Sequence, residues 1–189
     1  NGIVQGAAVG GDQVWPNIGL PYFVEGQGGV AMDGALTIAP GVEVRMAQDA
    51  IFQVNGALFA VGTPDQPITF TGAQAQPGWW QRIQVEHEGF AELQHCDIGY
   101  GGGQTQGFLF GQVHFNSSAV FMSDCRIHHS ASAGVSVAGG ALPILIYNRI
   151  EENVAGMTTN FSLTQVDARF NWWGAASGPT HADNPGGTG

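Results

Sequence analysis

The chain has 189 residues, 30 of them glycine, a hydrophobic content of 43% and a formal net charge of −10 at pH 7. It contains no lysine, and its five cationic residues are Arg45, Arg82, Arg126, Arg149 and Arg169. This length suits one domain with a sizeable core; the acidity argues against a nucleic-acid partner, and no apolar run reaches the length of a membrane span.

The glycines follow no three-residue period, so they read as tight corners between short strands. The chain opens on Asn-Gly without a methionine, which reads as a processed product or an excerpt whose targeting information has been removed.

Residues 1–15, NGIVQGAAVGGDQVW, are Gly-rich and match no repeat. They are expected to form an arm distinct from a domain over residues 16–189. Within the arm Ile3, Val4, Ala7, Ala8 and Val9 are expected to make one short strand that pairs with a sheet edge, either of its own chain or of a neighbour.

Strand-like pieces follow at Tyr22–Val24, Val30–Met32, Leu36–Ile38 and Val42–Met46, with corners at Gly34 and Pro40-Gly41. Next come Ile51–Val54, the Asn55-Gly56 turn and Leu58–Val61. A loop over Gly62–Pro67 leads to the strand Ile68–Thr71, and a loop over Gln74–Gly78 leads to Trp79-Trp80 and the strand Arg82–Val85. No stretch combines helical period, caps and length.

From Ala91 one phrase recurs four times. Its copies are Leu93-Gln-His-Cys96-Asp97-Ile98, Met122-Ser-Asp-Cys125-Arg126-Ile127, Leu145-Ile-Tyr-Asn148-Arg149-Ile150 and Ala168-Arg-Phe-Asn171-Trp172-Trp173. The apolar residues alternate within each copy, which is a strand period. No copy buries its face alone, so the copies must stack. The fold class expected is all-β: a parallel β-helix of roughly six to seven coils. The 29 residues from Cys96 to Cys125, against 23 from Cys125 to Asn148, require an insertion, expected at Gly101–Gly107.

The runs LTIAPGVEVRM, VNGALFAVGTPDQPITFTG, PGWW and LQHCDIGYGGG resemble the right-handed parallel β-helix domains of secreted bacterial proteins. The ending NRIEENVAG, FNWWGAASGP and NPGGTG is similar to the closing turn of the same pectate-lyase-like superfamily. The resemblance covers roughly residues 22–189 and implies a secreted or cell-surface β-helix. Such families include polysaccharide lyases and hydrolases, adhesins, tailspikes and domains without known activity.

Stacking places equivalent residues side by side. Cys96, Cys125, Asn148 and Asn171 form one structural ladder, along which asparagines hydrogen-bond. The two cysteines lie about one strand spacing apart, inside the Cα range for a disulfide. Their parallel side chains favour free thiols, and a bridge stays the alternative. Ile98, Ile127, Ile150 and Trp173 form an inward ladder.

Outward, Asp97, Arg126 and Arg149 share a row, His128 pairs with Glu151, and Tyr100, His129 and Glu152 make a further row. No catalytic set is favoured. If the chain were a lyase or hydrolase, Arg126 or Arg149 would be the base, and Asp97, Glu151 and Glu152 the acids or ligands. The resemblance implies Ca2+ as the cation of such a site. Otherwise no cofactor is expected, and none of the six histidines lies in a close-spaced metal motif. Trp79 and Trp172 are candidate glycan contacts, with Trp80 and Trp173 facing the core. Asn116-Ser-Ser118 and Asn160-Phe-Ser162 match the N-glycosylation pattern, read here as incidental.

The expected function is non-enzymatic and structural. The partners are copies of the chain, joined head-to-tail by end stacking or exchange of the N-terminal strand, in an extracellular fibre, matrix or surface layer. One alternative is a carbohydrate-active module that takes extracellular polysaccharide on the Arg/His/acid face. Another is the stalk domain of a larger adhesin.

Overall fold

The computed structural model describes residues 2–103, 110–160 and 165–189. The described residues form twenty strands and no helix. The strands follow one another around a solenoid. The first coil is β1 (Ile3–Gln5), β2 (Ala8–Val9) and β3 (Asp12–Trp15); the second is β4 (Tyr22–Val24), β5 (Gln27–Val30) and β6 (Ala35–Ile38). The third is β7 (Glu43–Met46), β8 (Ile51–Val54) and β9 (Ala57–Val61), and the fourth β10 (Ile68–Gly72), β11 (Arg82–Val85) and β12 (Phe90–Gln94). The fifth is β13 (Cys96–Gly99), β14 (Val113–Phe115) and β15 (Val120–Ser123), and the sixth β16 (Arg126–His128), β17 (Ala133–Ala138) and β18 (Ile144–Ile146). β19 (Arg149–Glu151) and β20 (Ala155–Asn160) begin a seventh.

Every third strand joins the same sheet, giving parallel sheets of seven, seven and six strands. This is the parallel β-solenoid that the repeats require. The insertion expected at Gly101–Gly107 falls largely on residues 104–109, and Asn160-Phe-Ser162 on side chains, all outside the described residues.

The inward ladder runs in register through Tyr22, Val44, Phe70, Ile98, Ile127 and Ile150. All six are buried, each side chain stabilising the stack by about 1.5–3 kcal/mol relative to exposure. At one end Trp15 stacks on Tyr22 with centroids 4.6 Å apart. Trp80 is buried, and its indole N–H donates to the Gly99 carbonyl at 2.9 Å.

Two expectations need correction. Residues 3–15 are the first coil of the solenoid and not an arm outside it: β1, β2 and β3 pair with β4, β5 and β6 of the same chain, the own-chain alternative of the expected edge pairing. The stretch expected as one strand is two, since Gly6-Ala7 turns the chain between β1 and β2. Coil length hid this. Ile3 and Tyr22 are 19 residues apart, whereas Ile98 and Ile127 are 29 apart, because the corners differ in length.

The strand expected at Val30–Met32 also shifts, to Gln27–Val30, leaving Met32 exposed. Two glycines stand inside β5 for a steric reason. A Cβ on Gly29 (φ 132°) would lie 2.0 Å from the Gln53 carbonyl oxygen of β8.

At the far end the chain turns back over the last coil. The Ile150 N–H donates to the Trp172 carbonyl (2.8 Å) and the Trp172 N–H to Asn148 (2.7 Å). Trp173 lies against Gly156 of β20, and Asn171 donates to the Leu145 carbonyl of β18.

Candidate functional site

The charged face forms on the sheet containing β13, β16 and β19. Register sets Asp97 beside Arg126 and Arg126 beside Arg149, and two residues along it sets Gly99, His128 and Glu151 side by side. The next residues are corners, where Tyr100, His129 and Glu152 all have left-handed backbone, with φ of 66°, 53° and 58°. All the candidate acids and bases therefore meet on one face of three coils.

Their chemistry is that of an ion-pair network. Arg126 donates through Nε to Glu151 (3.0 Å) and through Nη2 to Glu152 (3.0 Å), with Nη1 3.9 Å from Asp97. Arg149 donates to both oxygens of Glu151 at 3.1 Å. Burial acts to lower the Arg126 pKa, but the Glu151 hydrogen bond and the Asp97, Glu151 and Glu152 charges outweigh it and raise it. For Glu151, burial acts to raise the pKa, while Arg126 and Arg149 together lower it. A catalytic arginine base must lose its proton readily, and a general acid must hold its proton near neutrality. Both shifts run the other way. Arg126 and Glu152 are half-exposed, so that pair contributes only about 0–1 kcal/mol to stability.

The histidines are arranged differently. His128 is buried, its Nε2 2.8 Å from Asp97 Oδ1. Its ring sits over Gly99, where an added Cβ would come within 2.6 Å of it. His128 Nδ1 lies 2.7 Å from His129 Nδ1, and His129 Nδ1 lies 3.4 Å from Glu152 Oε2. The His129 ring stacks on Tyr100 at 5.2 Å. On a regular strand adjacent side chains point to opposite faces. The left-handed corner at His129 cancels that alternation and brings the expected His129/Glu152 row against His128 of the adjacent row. The visible signal was the adjacent His128-His129 pair immediately after a repeat.

The Cys/Asn ladder is a chain of main-chain capping bonds. Cys96 N–H points to Cys125 Sγ (3.4 Å), Cys125 N–H to Asn148 Oδ1 (3.0 Å), and Asn148 N–H to Asn171 Oδ1 (2.9 Å). Both cysteines are free and buried, and burial, with Cys125 beside it, pushes the Cys96 thiol pKa well up. Cys96 is therefore an inert thiol.

The two candidate glycan contacts do not share a platform. Trp79 precedes β11 in the fourth coil and packs against the core. Its indole N–H is buried without a hydrogen-bond partner among the described residues. Trp172 is exposed over the last coil.

A cavity of about 1070 Å3 lies between β20 and the C-terminal tail, lined by Met157, Trp173 and His181 among others. None of the candidate catalytic or glycan residues lines it.

No family model, curated protein or solved structure matches this chain. The architecture rests on the chain's own sheets and register, and the function on its own surface.

Proposed function

We propose that this chain is a non-enzymatic structural β-solenoid that associates with copies of itself through its first coil. The observation that carries this is the outer edge of β1, β2 and β3, the end strands of their sheets, which no described residue pairs. An unpaired strand edge is a template for another chain. Three such edges lie at one end of the solenoid, and a second solenoid end matches all three at once.

The edge main-chain groups are identifiable. Ile3 N–H and Gln5 C=O bond to the second coil, so the N–H and C=O of Val4 between them point outward. In β3, Trp15 C=O is likewise turned to β6 and that of Gly11 to Ala35, leaving the groups of Val14 outward. Val4 and Val14 are 60% and 64% exposed. No lysine guards the edge. The head-to-tail contact expected from sequence needs the tail to leave the last coil, whereas contact between two first coils needs no rearrangement.

A secreted or cell-surface setting, in a matrix or surface layer, belongs to the same reading and rests on the resemblance to pectate-lyase-like β-helices. The carbohydrate-active alternative loses its chemical support, because both of its arginines are engaged by carboxylates.

Light scattering over a concentration series tests the proposal. The intact chain should gain mass with concentration. A variant carrying Val4→Pro and Val14→Pro loses only outward N–H donors, so it should stay monomeric and keep its strand circular dichroism. An intact chain that remains monomeric throughout ends the proposal.

A further inference from the structure

We infer that His128, His129 and Glu152 form a binding site for a first-row divalent transition metal, Zn2+ being the natural occupant. This stands apart from the first-coil association, at the other end of the molecule.

Each of the three residues offers one ligand atom, and these atoms lie within 4.8 Å of one another. His128 Nε2 lies 2.8 Å from Asp97 Oδ1, and with the carboxylate oxygen accepting, Nε2 is the N–H of this contact. His128 Nδ1 is then a lone pair, and it points at His129 Nδ1, 2.7 Å away. Without a cation, the His129 Nδ1 proton joins the two rings. A divalent cation takes the place of that proton, and His129 adopts its other tautomer, with the N–H on Nε2 and the Nδ1 lone pair on the metal.

The geometry requires little movement. With metal–nitrogen bonds of about 2.0–2.1 Å, tetrahedral ligand atoms stand roughly 3.3 Å apart. The His129–Glu152 separation, 3.4 Å, already has that value. The two imidazoles must part by about half an ångström, and His129, at a corner with 38% of its side chain exposed, can move. His128 is fixed by Asp97, by the Gly99 floor and by the edge of Tyr100, 5.6 Å from its ring. A carboxylate holding the far nitrogen of a metal-binding histidine fixes its tautomer and raises its basicity.

The donor set selects the metal class. Two imidazole nitrogens and one carboxylate suit Zn2+, Co2+, Ni2+ or Cu2+, whereas Ca2+ and Mg2+ require oxygen ligands. The local charge is favourable: Asp97, Glu151 and Glu152 outnumber Arg126 and Arg149 by one. Arg126 bonds Glu152 Oε2 at 3.0 Å, the oxygen that also faces His129, and a carboxylate oxygen has lone pairs for both a guanidinium and a metal. Three protein ligands beside an exposed carboxylate leave a position open to water.

The experiment is calorimetric titration of the intact, tag-free chain with Zn2+, Co2+ and Ca2+, with the visible absorption of bound Co2+ as a second readout. We expect one Zn2+ per chain with micromolar or tighter affinity, and a Co2+ spectrum of low coordination number. His129→Ala, at a half-buried corner, and Glu152→Gln, at an exposed one, should each weaken Zn2+ binding at least about tenfold, and Asp97→Asn by about 10–100-fold. His181→Ala, in the distant tail, should leave it unchanged. The inference is overturned by absence of micromolar Zn2+ binding, by binding that survives His129→Ala and Glu152→Gln in variants with native circular dichroism, or by preference for Ca2+.

Discussion

His114 in β14 is held neutral. It is buried, with Nδ1 2.8 Å from Ser136 Oγ, and burial, assisted by the Arg82 charge, lowers its pKa from 6.5 to about 4. The folded value lies below the unfolded one, so the unfolded chain binds more protons between them. The His114 contribution is complete above pH 6.5 and declines as pH falls toward 4, by on the order of 2–3 kcal/mol. Urea unfolding of the intact chain should therefore weaken over this range more steeply than that of His114→Gln, which removes the titration. Equal slopes would place the imidazole in contact with water. A second residue-scale prediction concerns Asn148, which is buried and accepts from Cys125 N–H at 3.0 Å. Asn148→Ala orphans that donor and should destabilise by about 1–3 kcal/mol. Asn148→Cys, the residue used at the two preceding ladder positions, should lose less in the same thermal unfolding assay. The ladder was legible because its residues recur in sequence, while His114 offered no pattern before β14 and β17 paired.

Strands in this chain are set by alternation, and corners by the space each coil leaves. The later coils could be read because Ile98, Ile127 and Ile150 repeat within a recognisable phrase. The first coil could not, since its side chains are mostly small or exposed and its length differs. Glycines divide along the same line. Gly29→Ala drives a Cβ into the Gln53 carbonyl of the neighbouring coil, and should lower stability by more than about 2 kcal/mol. Gly26, at φ 61°, has no atom near its missing Cβ. Gly26→Asn keeps a residue that tolerates left-handed backbone, so it should change stability by less than about 1 kcal/mol. Similar losses from both in chemical denaturation would mean that β5 and β8 are not in this register.

A solenoid has only nearest-neighbour contacts, so its protection should vary along its axis. Amide exchange should be slowest in β7, β10 and β13, which have coils on both sides, and fastest in β1–β3. If first coils associate, protection of β1–β3 should rise with concentration while that of β10 stays constant. Uniform exchange along the stack, unchanged by concentration, would contradict both the layering and the proposed interface.

The sequence alone determined that this is a stacked-strand protein, since an alternating phrase repeated along the chain has one economical burial. It also determined which residues share a row, because register follows from repeat alignment. Tertiary structure decided three further matters. The N-terminal segment is a coil, because pairing depends on geometry and tolerates unequal coil lengths. Arg126 is charge-paired because Glu151 and Glu152 come from the next coil, while Arg149 reaches Glu151 of its own strand. His128 and His129 converge, because one left-handed residue breaks the alternation from which sequence reading works.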